Sequence, residues 1–109
     1  MSVAARAYGA SRTALAPRQL EADVFRRVTG AMRGSDGPMA TTRALSDNRR
    51  LWLAVETAVS DPTNALPATL RAQLVSLGRA VLRELDAPEP DLDFLIEVNM
   101  TVAAGLAGG

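Results

Sequence analysis

The apolar positions fall into four stretches at helical spacing, separated by short polar breaks rich in proline and glycine. The first stretch runs through Leu20, Val24, Val28, Ala31 and Met32, and Phe25 widens its apolar face. It is predicted to open at Pro17, because a proline suits the first helical position, where its missing N–H costs no hydrogen bond. Glu21 and Asp23 come early and Arg26, Arg27 and Arg33 late, the order the helix dipole favours. Gly34-Ser35-Asp36-Gly37-Pro38 ends this helix as a turn cluster. The second stretch is predicted to be capped by Thr41 or Thr42 and to end near Ser60. It carries Leu45, Asn48, Trp52, Val55 and Val59 on one face. The third is predicted to start at Pro67, with Leu70, Leu74, Leu77, Val81 and Leu85 as its stripe. Gly78 inside it costs about 1 kcal/mol relative to alanine, so its expected use is the close approach of a neighbouring helix. The fourth takes Asp91 as its N-cap, an acceptor for the first free backbone N–H groups. Its stripe is Leu92, Leu95, Ile96, Asn99, Val102, Ala103 and Leu106, and Gly105 with Gly108-Gly109 is expected to let the end fray.

Four amphipathic helices with short connections predict an all-α fold, a small four-helix bundle with a flexible N-terminal arm. The arm is residues 1–16, small and weakly patterned, and residues 17–107 form a single helical domain. Composition agrees. Of the 109 residues, 20 are Ala and 14 are Leu, the leaders of the helix propensity scale. A chain of this mass buries about two thirds of its unfolded surface, enough for one modest core.

Cysteine and histidine are both absent. There is no disulfide, no Cys/His zinc site and no imidazole for acid–base or nucleophilic catalysis. No glycine-rich phosphate loop occurs, and the acids at Glu84, Asp86, Glu89, Asp91 and Asp93 lack the spacing and central glycine of a calcium loop. The expectation is therefore no enzyme, no catalytic residue, no metal and no cofactor. No apolar run approaches the ~20 residues of a membrane span, so no membrane insertion is expected. A chain without disulfides fits a cytoplasmic location.

All 12 basic residues are arginine and balance 12 acids. They are unevenly spread: residues 1–50 carry nine Arg and four acids, and residues 51–109 three Arg and eight acids. RNA-binding surfaces combine a basic face with stacking aromatics, and aromatic residues are only 4% here, so RNA is not expected as a direct ligand.

Several residues carry two readings. Tyr8, the only tyrosine, either packs locally or anchors the arm on a partner. Asn48 and Asn99 are amides on apolar stripes, which either bridge helices or line a groove for a partner's backbone. Trp52 reads as core from its spacing, whereas Arg49 and Arg50 beside it make the rim of an interaction surface. Most apolar stripes are spent on the bundle; Phe25, which widens the first stripe, and Val102 and Leu106, at the end of the fourth helix close to its tail, are left as candidate groove residues. Pro67, Gly78, Trp52 and Asn99 are assigned structural roles.

The run Asp47-Asn48-Arg49-Arg50-Leu51-Trp52, followed by Asp61-Pro62-Thr63-Asn64-Ala65-Leu66-Pro67, Leu70-Arg71 and Leu74-Val75-Ser76-Leu77-Gly78, resembles the FlaF family of flagellar biosynthesis proteins. Ala16-Pro17-Arg18-Gln19-Leu20-Glu21-Ala22, Leu95-Ile96-Glu97-Val98-Asn99 and Ala103-Ala104-Gly105-Leu106 fit as well. The likeness spans roughly residues 1–107. It implies a small cytosolic protein needed for the flagellar filament, one that promotes flagellin production or export. Flagellin is the partner it implies. It also implies a link to FlbT, a regulator of flagellin messenger RNA, whose direct contact stays open, as does the oligomeric state. Two functions follow as expectations: a flagellin-binding chaperone or adaptor, and a post-transcriptional regulator acting through flagellin mRNA or through FlbT.

Overall fold

The computed structural model describes residues 20–108. The predicted arm, residues 1–16, and with it Tyr8 and Pro17, lie outside the described residues. Four helices follow in order: α1 (Ala22–Arg33), α2 (Pro38–Ser60), α3 (Ala68–Leu85) and α4 (Leu92–Gly108). No strand occurs among the described residues.

Each helix end has a local cause, and several differ from the predicted boundaries. Leu20 and Glu21 are not helical, so α1 begins at Ala22 rather than Pro17. Glu21 is the N-cap in an extended conformation. Leu20 and Phe25 then occupy the positions that clamp a helix start hydrophobically, and both join the core. The second helix starts at Pro38, ahead of the predicted caps Thr41 and Thr42. Gly37 takes φ +90°, a conformation open to glycine, which lets Pro38 begin the helix where its lack of an N–H is harmless. Thr41 sits in the first turn instead, and its hydroxyl donates to Ser35 Oγ at 3.3 Å. Pro67 is the N-cap of α3, one residue before the helix it was predicted to open. Asp91 caps α4 as predicted: its Oδ1 accepts from the Phe94 N–H at 3.1 Å, and its own N–H donates to Glu84 Oε2 at 2.8 Å. The expected fraying at Gly105 does not occur. The helix runs on to Gly108 because Val102, Ala103 and Leu106 pack on the core.

The α2–α3 connection is braced by its own side chains. Asp61 Oδ1 accepts from the Thr63 N–H at 2.8 Å and from its hydroxyl at 2.7 Å, an Asx turn. Asn64 is buried; its Nδ2 donates to Ala58 O at 2.9 Å and its Oδ1 accepts from the Leu66 N–H at 2.9 Å. Arg71 Nε closes the turn onto Leu66 O at 3.1 Å. Much of the Asp61–Pro67 motif is thus spent on holding one corner.

In the bundle, α1 lies against both α4 and α2, α2 lies against α3, and α3 touches α4 over a shorter stretch. No Cα of α2 comes within 8 Å of α4, so these two helices are diagonal across the core. The α1 stripe is rotated from the predicted one. Phe25, Thr29 and Met32 point fully inward, Val24 and Val28 are half-buried, and Ala31 is exposed. Thr29 tolerates this because its hydroxyl donates back to Phe25 O at 2.6 Å. The largest ring on the helix thereby reaches the centre.

Candidate functional site

The centre of the bundle is Trp52, fully buried. Phe25 meets it edge-on, with ring centroids 5.8 Å apart and planes at 77°. A buried indole N–H needs an acceptor. Trp52 Nε1 donates to Asn99 Oδ1 at 2.8 Å, and Asn99 Nδ2 donates to Asn48 Oδ1 at 2.7 Å. This relay spans the diagonal between α2 and α4, whose backbones stay apart. Of the two readings for the asparagines, the bridge is what the structure holds: both are fully buried. Asn48 Nδ2 is left without a partner, so the relay ends in an unused buried donor.

The predicted groove residues do not form a groove. Phe25 is fully buried, and Val102 is buried on α4. Leu106 is half-buried against the core. All three are spent inside the bundle, because the aromatic centre and the α1–α4 seam need their volume. Arg49 and Arg50, one residue apart on a helix, diverge. Arg49 Nη2 reaches Asp86 Oδ1 at 2.7 Å and ties α2 to the end of α3. Arg50 points outward, 3.8 Å from Asp47 Oδ1. It lines an open hollow of about 480 Å³ along the outer face of α2, with Met39, Thr42 and Arg43. Met39 is the most exposed large apolar side chain described, at 77%.

A second hollow lies between α2 and α3. It is smaller and more enclosed, about 140 Å³, with Trp52, Val55, Leu74, Gly78 and Leu82 as its apolar lining. A Cβ on Gly78 would stand 3.4 Å from Trp52 Cε3, so the close approach expected at this glycine is made by the indole ring. Glu56 and Ser60 stand on the α2 lip, Val75 and Arg79 on the α3 lip. Val75 belongs to the run that carries the family resemblance, but neither it nor Arg79 lies on the apolar stripe, so helical spacing did not place them at this hollow. The glycine inside a leucine-rich stripe was the available signal.

Among the described residues no group of three His, Cys, Asp or Glu side chains is placed to hold a metal ion. Nor is any described helix long and apolar enough to cross a membrane.

The arrangement defines a class: a small all-α bundle with an aromatic centre, a buried amide relay and clefts on its helix faces. Its two most distinctive runs, Asp47–Trp52 and Asp61–Pro67, supply two of the three relay residues, the arginine of the inter-helix ion pair and most of the braced corner. The chain belongs to the FlaF family, since the family model for flagellar protein FlaF matches residues 4–106. No curated protein and no solved structure gives a significant match.

Proposed function

We propose that this flagellar protein promotes flagellin production and export by binding flagellin in the cytoplasm as a chaperone or adaptor. Family membership over residues 4–106 is the observation that carries the reading. The bundle adds support of a physical kind. Export partners present amphipathic segments before assembly, and a cleft between two helices is a recurring seat for such a segment.

Calorimetric titration of purified monomeric flagellin into the full chain tests this, repeated at low and high salt. The expected result is saturable binding that weakens only modestly with salt. A second reading, control of flagellin synthesis through its mRNA, draws on the exposed Arg43 and Arg50 beside Met39. Binding through phosphates loses affinity steeply as salt rises. Salt-sensitive binding to flagellin mRNA, with none to flagellin, replaces the first reading with the second. Saturable binding to FlbT alone places the action there instead.

A further inference from the structure

Because α2 and α4 are diagonal across the core, their outer faces look away from each other on opposite sides of the bundle. On α2 that face carries Met39, Arg43, Ser46 and Arg50, along the open hollow of about 480 Å³. On α4 it carries Asp93, Glu97, Met100 and Ala104, and all of these side chains are exposed. Both runs step by four, three and four residues, so each keeps to one side of its helix. The two faces are opposite in charge. No cation occurs anywhere in α4, and Asp93 and Glu97 make no ion pair among the described residues. On α2, Arg43 makes none either, and Arg50 has only Asp47 at 3.8 Å.

Laid antiparallel, the two faces match level by level, because the α4 steps read backwards equal the α2 steps read forwards and the rise per residue is the same. Asp93 then stands opposite Arg50. Glu97 stands opposite Ser46, between the two arginines. Met100 lies across the stem of Arg43, where an arginine's methylenes offer apolar surface. Met39, 77% exposed, meets Ala104, the smallest side chain of the opposing face. Within one chain the bundle keeps these faces apart, so only a second copy brings them together. The formal net charge of +0 leaves no overall repulsion between copies.

We propose that the chain self-associates head to tail, the outer face of α2 in one copy lying antiparallel on the outer face of α4 in the next. The contact is heterologous, so every added copy leaves one face of each kind free, and association grows into short chains rather than stopping at a dimer. One helix face on another buries less than a standard interface, which makes the contact weak and reversible. Exposed charges carry it, which makes it sensitive to salt. It does not depend on flagellin binding.

Sedimentation velocity of the full chain over rising concentration, at low and at high salt, tests this. The mean mass should climb with concentration at low salt and fall back toward the monomer at high salt. Arg43→Glu spoils the α2 face and Glu97→Arg the α4 face. Both change exposed side chains without an ion pair, so each should keep the parent's thermal midpoint while weakening association at least tenfold, about 1.4 kcal/mol. An equimolar mixture of the two variants retains one intact pairing, since the first keeps its α4 face and the second its α2 face. Mixing should therefore restore dimers, which no damage to folding would allow. A parent that stays monomeric at every concentration and at low salt overturns the proposal. So does association that neither variant weakens, or that mixing fails to restore. A monomeric parent whose binding to flagellin mRNA is lost in Arg43→Glu assigns the α2 face to RNA and overturns it as well.

Discussion

The two sides of the Trp52 ring are built differently. Toward α1, Phe25 closes on it edge-to-face at 5.8 Å, with both rings fully buried. Toward α3, Gly78 offers no side chain, and a hollow of about 140 Å³ lies there. One side maximises apolar burial and aromatic contact, which stabilise the bundle. The other buries the ring without an aromatic partner, by close approach of α3 at Gly78, where a Cβ would stand 3.4 Å from the ring. The Phe25 side therefore covers the ring with a side chain, and the Gly78 side covers it with the backbone of α3.

That contrast breaks first at the ring itself. Trp52→Ala empties the centre and leaves Asn99 Oδ1 without its donor. The expected loss is about 4 kcal/mol in denaturant unfolding, a large share of what a domain of this size has. Phe25→Ala removes the packed side alone and should cost about 3 kcal/mol. Any effect of Phe25→Ala on flagellin binding should then track the unfolded fraction and vanish in stabilising osmolyte. An unchanged unfolding midpoint with lost binding would return Phe25 to the surface.

The amide relay sharpens the comparison at a smaller scale. Asn99→Leu strands both the Trp52 N–H and Asn48 Oδ1, at an expected cost of about 2 kcal/mol. Asn48→Leu strands only Asn99 Nδ2 and also removes the unused donor Nδ2, so about 1 kcal/mol is expected. Because the two share a hydrogen bond, the double variant should cost less than the sum. Equal single costs with strict additivity would mean that the relay does not act as a unit. The smallest effect is expected on the open side. Gly78→Ala should raise stability by up to about 1 kcal/mol, because the new Cβ meets the ring at ordinary contact distance and the helix gains propensity. A clear loss there would show a ring already in tight contact with α3.

Much of the fold was legible in the chain. Helical spacing, together with Asp91 as a cap, predicted four helices and their order. The boundaries that moved did so for reasons written nearby but outweighed in the reading. Pro38 and Gly37 start α2 ahead of two plausible threonine caps, and Leu20 clamps α1 from outside it. The candidate site was far less legible. Arg79 and Val75 line a hollow only once α2 lies beside α3, and Asn64 looks like an ordinary turn residue until its amide reaches Ala58 O.

The sequence by itself determined the helices, the polar corner at Asp61–Pro67 and membership of the FlaF family, because periodicity, turn chemistry and motif spacing are properties of neighbours along the chain. Only the tertiary structure decided that α2 and α4 are diagonal, that Trp52, Asn99 and Asn48 bond across the core, and that Gly78 faces an indole ring. A stripe tells which side of a helix is buried, but not its rotation to within one residue, nor which neighbour it meets. Those depend on how the largest side chains fit together: Phe25 and Trp52 meet at the centre, and a stripe rotated by one residue on α1 turned an expected binding residue into the core.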